Sequence, residues 1–93
     1  MRVSKTDAIL EVDLHGLTTE DAKCRLEHLL SCAGPEIREV RVIHGYNSGQ
    51  ALRNMVRVRL KHPRIASKLI TLNPGETRLL LTPPAKAAKK RNR

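Results

Sequence analysis

From Arg41 to Arg53 the chain reads RVIHGYNSGQALR. A short β-branched run stops at His44-Gly45, a loop of small residues follows, and an apparent basic helix begins at Gln50. Nearly the same event occurs earlier, where VDLHGLTT at Val12 to Thr19 stops at His15-Gly16 and a helical pattern takes over. Two strands that each close on His-Gly before a helix decide the fold. A strand, helix and strand in one sheet cross over right-handedly almost without exception, so the two strands run parallel and bring both imidazoles to one sheet edge.

Working outward, Ala8 to Leu14 alternates Leu10, Val12 and Leu14 against Glu11 and Asp13, the pattern of a half-buried strand with a polar open face. The next segment opens with Thr18 and Asp21 as a helix-start pair, and Ala22, Leu26, Leu29, Leu30 and Ala33 recur at helical spacing until Gly34-Pro35 stops it. Glu39 to Ile43 is a second strand. Gln50 to Lys61 reads as a second helix, with Leu52, Met55, Val56 and Leu60 as its apolar stripe, ended by His62-Pro63. Lys68 to Leu72 and Thr77 to Leu81 complete the pattern as strands joined by the turn residues Asn73, Pro74 and Gly75. The expected fold is an α/β two-layer sandwich of order βαβαββ, with a four-stranded mixed sheet and two helices on one face. A flexible N-terminus at 1–7 precedes this single domain at 8–82, and a disordered basic tail at 83–93 follows it.

Ninety-three residues leave room for one small core, which must be aliphatic because the chain has no Phe or Trp and one Tyr. The formal charge is +9, and Lys86, Lys89, Lys90, Arg91 and Arg93 place five of those charges in the tail. Within the domain no acid occurs between Glu39 and Glu76, an interval holding Arg41, Arg53, Arg57, Arg59, Lys61, Arg64 and Lys68. A positive half of this kind suits a polyanion such as nucleic acid. Cys24 and Cys32 lie too far apart along one helix for a disulfide, about 12 Å, which fits a reducing cytoplasm. No signal peptide or membrane span is evident, and a cytoplasmic monomer is expected.

The residues able to do chemistry gather at the two His-Gly steps. Gly45 and Gly49 bracket Tyr46, Asn47 and Ser48 just before a helix N-terminus, where positive φ and unpaired N–H groups suit a phosphate cradle. Arg53 and Arg57, one turn apart on the helix, extend that basic surface, and Gly16 is the matching glycine of the first step. An unperturbed imidazole exchanges protons near neutrality, so His15 and His44 are candidates for general base and general acid on a phosphodiester. Asp13 could orient an imidazole, hold a cation or polarise a water. Each histidine could equally be a packed ring at a strand end. His28 and His62 read as structural or surface residues. With Asp13 and Glu11 as the only nearby carboxylates, no tightly bound metal is expected, and Mg or Mn enters at most as a loosely held aid.

VDLHGLT and VIHGYNSGQALR resemble, in that order, the two signature motifs of the Smr (small MutS-related) domain: its Leu-Asp-Leu-His-Gly and its His-Gly-x-Gly-x-Gly-x-Leu-Arg. HPRIAS at His62 to Ser67 and the last strand also look like family counterparts, so the resemblance covers roughly Ile9 to Leu81. Val12 replaces the usual Leu, and Asn47 stands where the family has its central glycine. The resemblance implies a βαβαββ sandwich similar to the C-terminal domain of bacterial translation initiation factor three. It also implies a nuclease that nicks or cleaves DNA or RNA, in several cases messenger RNA at stalled ribosomes. By position Asp13 and His15 match the family's proposed catalytic pair, and His44, Gly45, Gly49 and Arg53 match its second motif. None of the ATPase and clamp regions of MutS-like proteins is present, which reads as a free-standing Smr protein. The expected activity is endonucleolytic; the alternatives are a non-catalytic RNA-, ribosome- or DNA-binding module and a binder of small phosphorylated metabolites.

Overall fold

A computed structural model of the chain describes residues 1–45, 50–72 and 75–83. The cradle residues Tyr46, Asn47, Ser48 and Gly49, the turn residues Asn73 and Pro74, and the tail from residue 84 lie outside the described residues. The elements in chain order are β1 (Arg2–Thr6), β2 (Ile9–Asp13), α1 (Thr19–Cys32), β3 (Glu39–Ile43), α2 (Gln50–Asn54) running on as a π-helical turn (Met55–Arg59), β4 (Ile65–Ile70) and β5 (Glu76–Leu81). They build one sheet of order β1-β2-β3-β5-β4. β2 and β3 are parallel, as the crossover rule requires, and the other neighbours are antiparallel.

The sheet has five strands, not four. The additional strand is β1, formed by residues assigned from sequence to a flexible N-terminus. All five of its residues are exposed, so it carries no apolar alternation to read. It is held instead by backbone pairing to β2 across a two-residue turn at Asp7 and Ala8, where Asp7 takes φ 54, a region Asp tolerates better than most residues. β4 also begins earlier than its apolar content suggests, at Ile65. It is an edge strand with a register shift between Ile65 and Ser67, and it too buries little.

Alternation along β2, β3 and β5 sends Leu10, Val12, Leu14, Val40, Val42 and Leu79 to one face, where they join Ala22, Leu26 and Leu30 of α1 and Leu52, Met55, Val56 and Leu60 in a single apolar cluster. Thr18 caps α1, its Oγ1 accepting the Asp21 N–H at 3.2 Å, and Ala22, Leu26 and Leu30 at i, i+4 and i+8 form the buried stripe. The second helix widens at its end: the Leu60 N–H reaches Met55 O at 2.7 Å, an i→i+5 bond, and Lys68 Nζ closes the turn by donating to the Leu60 and Arg57 carbonyls. The opposite sheet face is ionic. Arg41 and Arg78 stand directly opposite each other on β3 and β5, and Glu39 compensates them by gripping Arg78 with two bonds of 2.6 and 2.8 Å.

Arg64 is the unexpected core residue, 3% exposed. Its guanidinium donates to the carbonyls of Ala33 (2.6 Å), Leu30 (3.5 Å), Gly34 (3.4 Å), Ile37 (3.2 Å) and Thr82 (2.8 Å). α1 has no basic residue in its last turn, so Arg64 supplies from a distant segment the charge that its C-terminal carbonyls lack. Replacing Arg64 with Met should cost about 3 kcal/mol or more in urea unfolding, because several buried acceptors lose their donor together. Arg64→Lys should recover little of this, since an ammonium has three donors on one point and cannot span the five carbonyls.

Candidate functional site at the carboxyl ends of β2 and β3

Parallel pairing sets Asp13 beside Ile43 and continues one residue further, with Leu14 N–H donating to Ile43 O at 3.0 Å. Both His-Gly steps therefore leave the sheet at the same edge. In the first, Leu14 to Leu17 form a turn closed by Leu17 N–H to Leu14 O at 3.1 Å, with Gly16 at φ 84. This is the i+2 position of a type II turn, and the space around a built Cβ is open, so Gly16 is required by its backbone angle and not by crowding. Asp13 Oδ1 accepts the His15 N–H at 2.9 Å. His15 is thus fixed at its backbone and exposed at its ring. Asp13 also lines a shallow depression on the open sheet face with Arg2, Ser4, Glu11 and Ile43.

His44 has the opposite environment. Strand parity places it with Val40 and Val42 on the helix side, 4% exposed, and its own N–H and that of Gly45 both donate to Gly75 O, at 2.9 and 3.0 Å. Its Nδ1 lies 3.2 Å from Gly45 O and its Nε2 3.0 Å from Thr77 Oγ1, while Arg57 Nε donates to the same Oγ1 at 2.9 Å and Arg57 Nη2 to Glu76 O at 3.4 Å. Burial lowers the His44 pKa; the Gly45 carbonyl works against this, and Arg57 and Arg53 add to it. The ring is fully engaged, and its surroundings favour the neutral form. The sheet edge unites the two histidines, but one faces solvent and the other faces the core.

The positive half is narrower than the sequence suggests. Arg64 and Lys68 are spent on carbonyls, Arg57 is tied to Thr77 and Glu76, and Arg41 sits between Glu39 (3.8 Å) and Glu76 (3.5 Å). Arg59 pairs with Glu20 at 3.0 Å. Arg53, half-buried, and Lys61, exposed, have no ion pair among the described residues. Sequence reasoning missed Thr77, whose signal was a polar residue at a core-facing position of ETRLLL, and it took Arg64 for a surface cation. Among the described residues no three His, Cys, Asp or Glu side chains converge as metal ligands.

The Smr domain model matches residues 12–76, a span that includes both His-Gly steps, α1, the second helix and Arg64. The chain belongs to the Smr domain family. Its structure is also similar to the crystal structure of the Smr domain of Thermus thermophilus MutS2, with 32% sequence identity, a TM-score of 0.69, and coverage of 78% of this chain and 98% of that one. No curated protein matches the sequence. β1 lies outside the span that the family model matches in this Smr domain.

A second histidine shares the logic of His44. His62 Nδ1 accepts the Arg64 N–H at 3.1 Å and Nε2 meets Ser31 Oγ at 3.0 Å; burial chiefly, then Arg64, lowers its pKa against the pull of Glu27. Both rings therefore bind a proton less readily folded than unfolded. Stability should be complete well above the unfolded histidine pKa of about 6.5 and fall as pH drops through it, by at most about 1.4 kcal/mol per pH unit for each ring. Urea midpoints between pH 5 and 7.5 should rise with pH, and the His44→Gln, His62→Gln double variant should flatten the rise.

Proposed function

We propose that this Smr domain binds single-stranded nucleic acid, RNA in preference, at the carboxyl edge of β2 and β3 and cuts its phosphodiester backbone there. The observation that carries the reading is the paired geometry of the His-Gly steps: an exposed His15 anchored by Asp13 beside a buried His44 linked to Arg57. The exposed ring is the one able to exchange protons with a substrate, so His15 takes the role of general acid or base. His44, expected from sequence to share that role, holds the structure beneath the phosphate through Thr77. Arg53 and Arg57 supply positive charge from the second helix, Gly16 and Gly45 turn the chain at the two steps, and Tyr46, Asn47, Ser48 and Gly49 are the residues that the sequence offers for phosphate contact. The +9 charge and the basic tail add affinity without specificity. Asp13 and Glu11, both lining the depression, are the residues that would hold a Mg or Mn ion. Ribosomal or messenger RNA in the cytoplasm is the natural partner class for this reading.

The burial of His44 favours a second reading, a binding module without cleavage, because a pair of free imidazoles is not assembled. Cleavage assays on matched RNA and DNA oligonucleotides, with and without chelator, separate the two. His15→Ala should slow cutting about a hundredfold while leaving affinity nearly unchanged. Cutting that survives in chelator and stops on a single 2′-deoxy substitution would assign the nucleophile to the RNA. Activity indifferent to His15 leaves the binding module. Deleting Lys86 to Arg93 removes five positive charges and should make the fall of log K with log salt shallower, by about 0.7 for each phosphate that the tail neutralises in the intact protein.

A further inference from the structure

We infer that Thr77, which belongs to neither His-Gly step, is the positioning residue of the site: its one hydroxyl holds the Arg57 guanidinium and fixes His44 as the Nδ1–H tautomer. Thr77 has no exposed surface and sits on β5 opposite Val42, on the helix side of the sheet. The direction of every bond around it follows from what each group can do. Arg57 Nε only donates, so at 2.9 Å Thr77 Oγ1 must accept from it. The Gly45 carbonyl only accepts, so at 3.2 Å His44 Nδ1 carries the proton; the other tautomer would set two lone pairs against each other. A neutral ring has one N–H, which leaves Nε2 as an acceptor 3.0 Å from the hydroxyl. The Thr77 hydrogen then has one place to go. The result is a directed chain, Arg57 Nε–H to Thr77 O–H to His44 Nε2, and from His44 Nδ1–H to Gly45 O.

The chain has a consequence for ligand contact, which rests on the nucleic-acid reading above. Nε and Nη2 of Arg57 are committed to Thr77 and the Glu76 carbonyl, and neither bond uses Nη1. Arg57 is thereby held as a preset donor for a phosphate oxygen rather than a freely moving cation. Thr77 also joins β5 to the exit of β3, so the strand pairing sets where Arg57 stands. A Val in its place has the same shape and strand preference but leaves a half-buried guanidinium nitrogen and a buried ring nitrogen without this partner.

The test compares wild type, Thr77→Ser and Thr77→Val by ring ¹⁵N–¹H correlation spectra of His44, by exchange of the Arg57 Nε proton, and by titration with a short single-stranded RNA. Wild type and Thr77→Ser should show His44 protonated at Nδ1 and a protected Arg57 Nε–H. In Thr77→Val that protection should be lost, both tautomers should appear, and RNA should bind about tenfold more weakly, the worth of one charge-assisted hydrogen bond. Arg57→Ala should weaken binding equally, and the Thr77→Val, Arg57→Ala pair should be no weaker than either alone. Because Val at this buried site can cost stability, the wild-type and Thr77→Ser spectra are read first. An Nε2–H ring in the wild type overturns the inference whatever the Val variant does, and so does a folded Thr77→Val with unchanged His44 shifts and a protected Arg57. If the wild type binds neither RNA nor DNA, the nucleic-acid reading falls and the spectra alone decide the role of Thr77.

Discussion

One guanidinium organises the domain from within. Arg64 enters from the turn before β4 and satisfies carbonyls at the end of α1, in the connection to β3 and after β5. A cation so deeply placed would ordinarily be costly, and burial does lower its pKa, with Glu36 opposing the shift. Five carbonyl dipoles distribute the compensation that a single carboxylate would otherwise provide. Arg64 thereby ties the C-terminal end of α1 to the segments before β3 and after β5, while the N-terminal end of α1 is tied to the sheet edge through the His15 turn.

The sheet edge then makes two different histidines from one short motif. Both follow a parallel strand and precede a glycine with φ above 80° (84° and 82°). The first leaves its strand through a tight turn into α1, so its ring reaches water. The second follows strand parity inward and finds Thr77. Chemical asymmetry at the edge comes from which residue of each step still obeys the pleat, and one exposed ring and one buried ring follow from it.

How much of this was legible in the sequence depends on how local each signal is. The strands β2, β3 and β5, the Thr18 cap and the buried stripe of α1 were readable because alternation and helical spacing are short-range patterns. β1 was not, since RVSKT buries nothing and gains its order from a partner strand. Nor was the π-helical widening at Met55–Arg59, whose apolar spacing is close to that of an ordinary helix. The basic interval from Arg41 to Lys68 was legible as charge but not as surface, because a run of arginines does not say which guanidinium will be turned inward by carbonyls formed elsewhere. Both motif histidines were found from sequence, while their unlike surroundings required the register of β3 against β5 and the path of Arg57.

The first strand carries a consequence for how the domain meets its own kind. Along β2, Leu10 and Val12 are buried and the backbone on the far side is occupied by β1, whose residues include Arg2 and Lys5 and expose every side chain. A chain trimmed to begin at Val12, where the family match begins, would leave the β3-facing remnant of that strand and β3 itself with an uncovered ladder of N–H and C=O groups. Such a border invites pairing with another molecule, whereas a charged, short, fully wet strand discourages it. The five exposed residues of β1, with Arg2 and Lys5 among them, give this small aliphatic fold a short charged selvedge of the kind that disfavours such pairing.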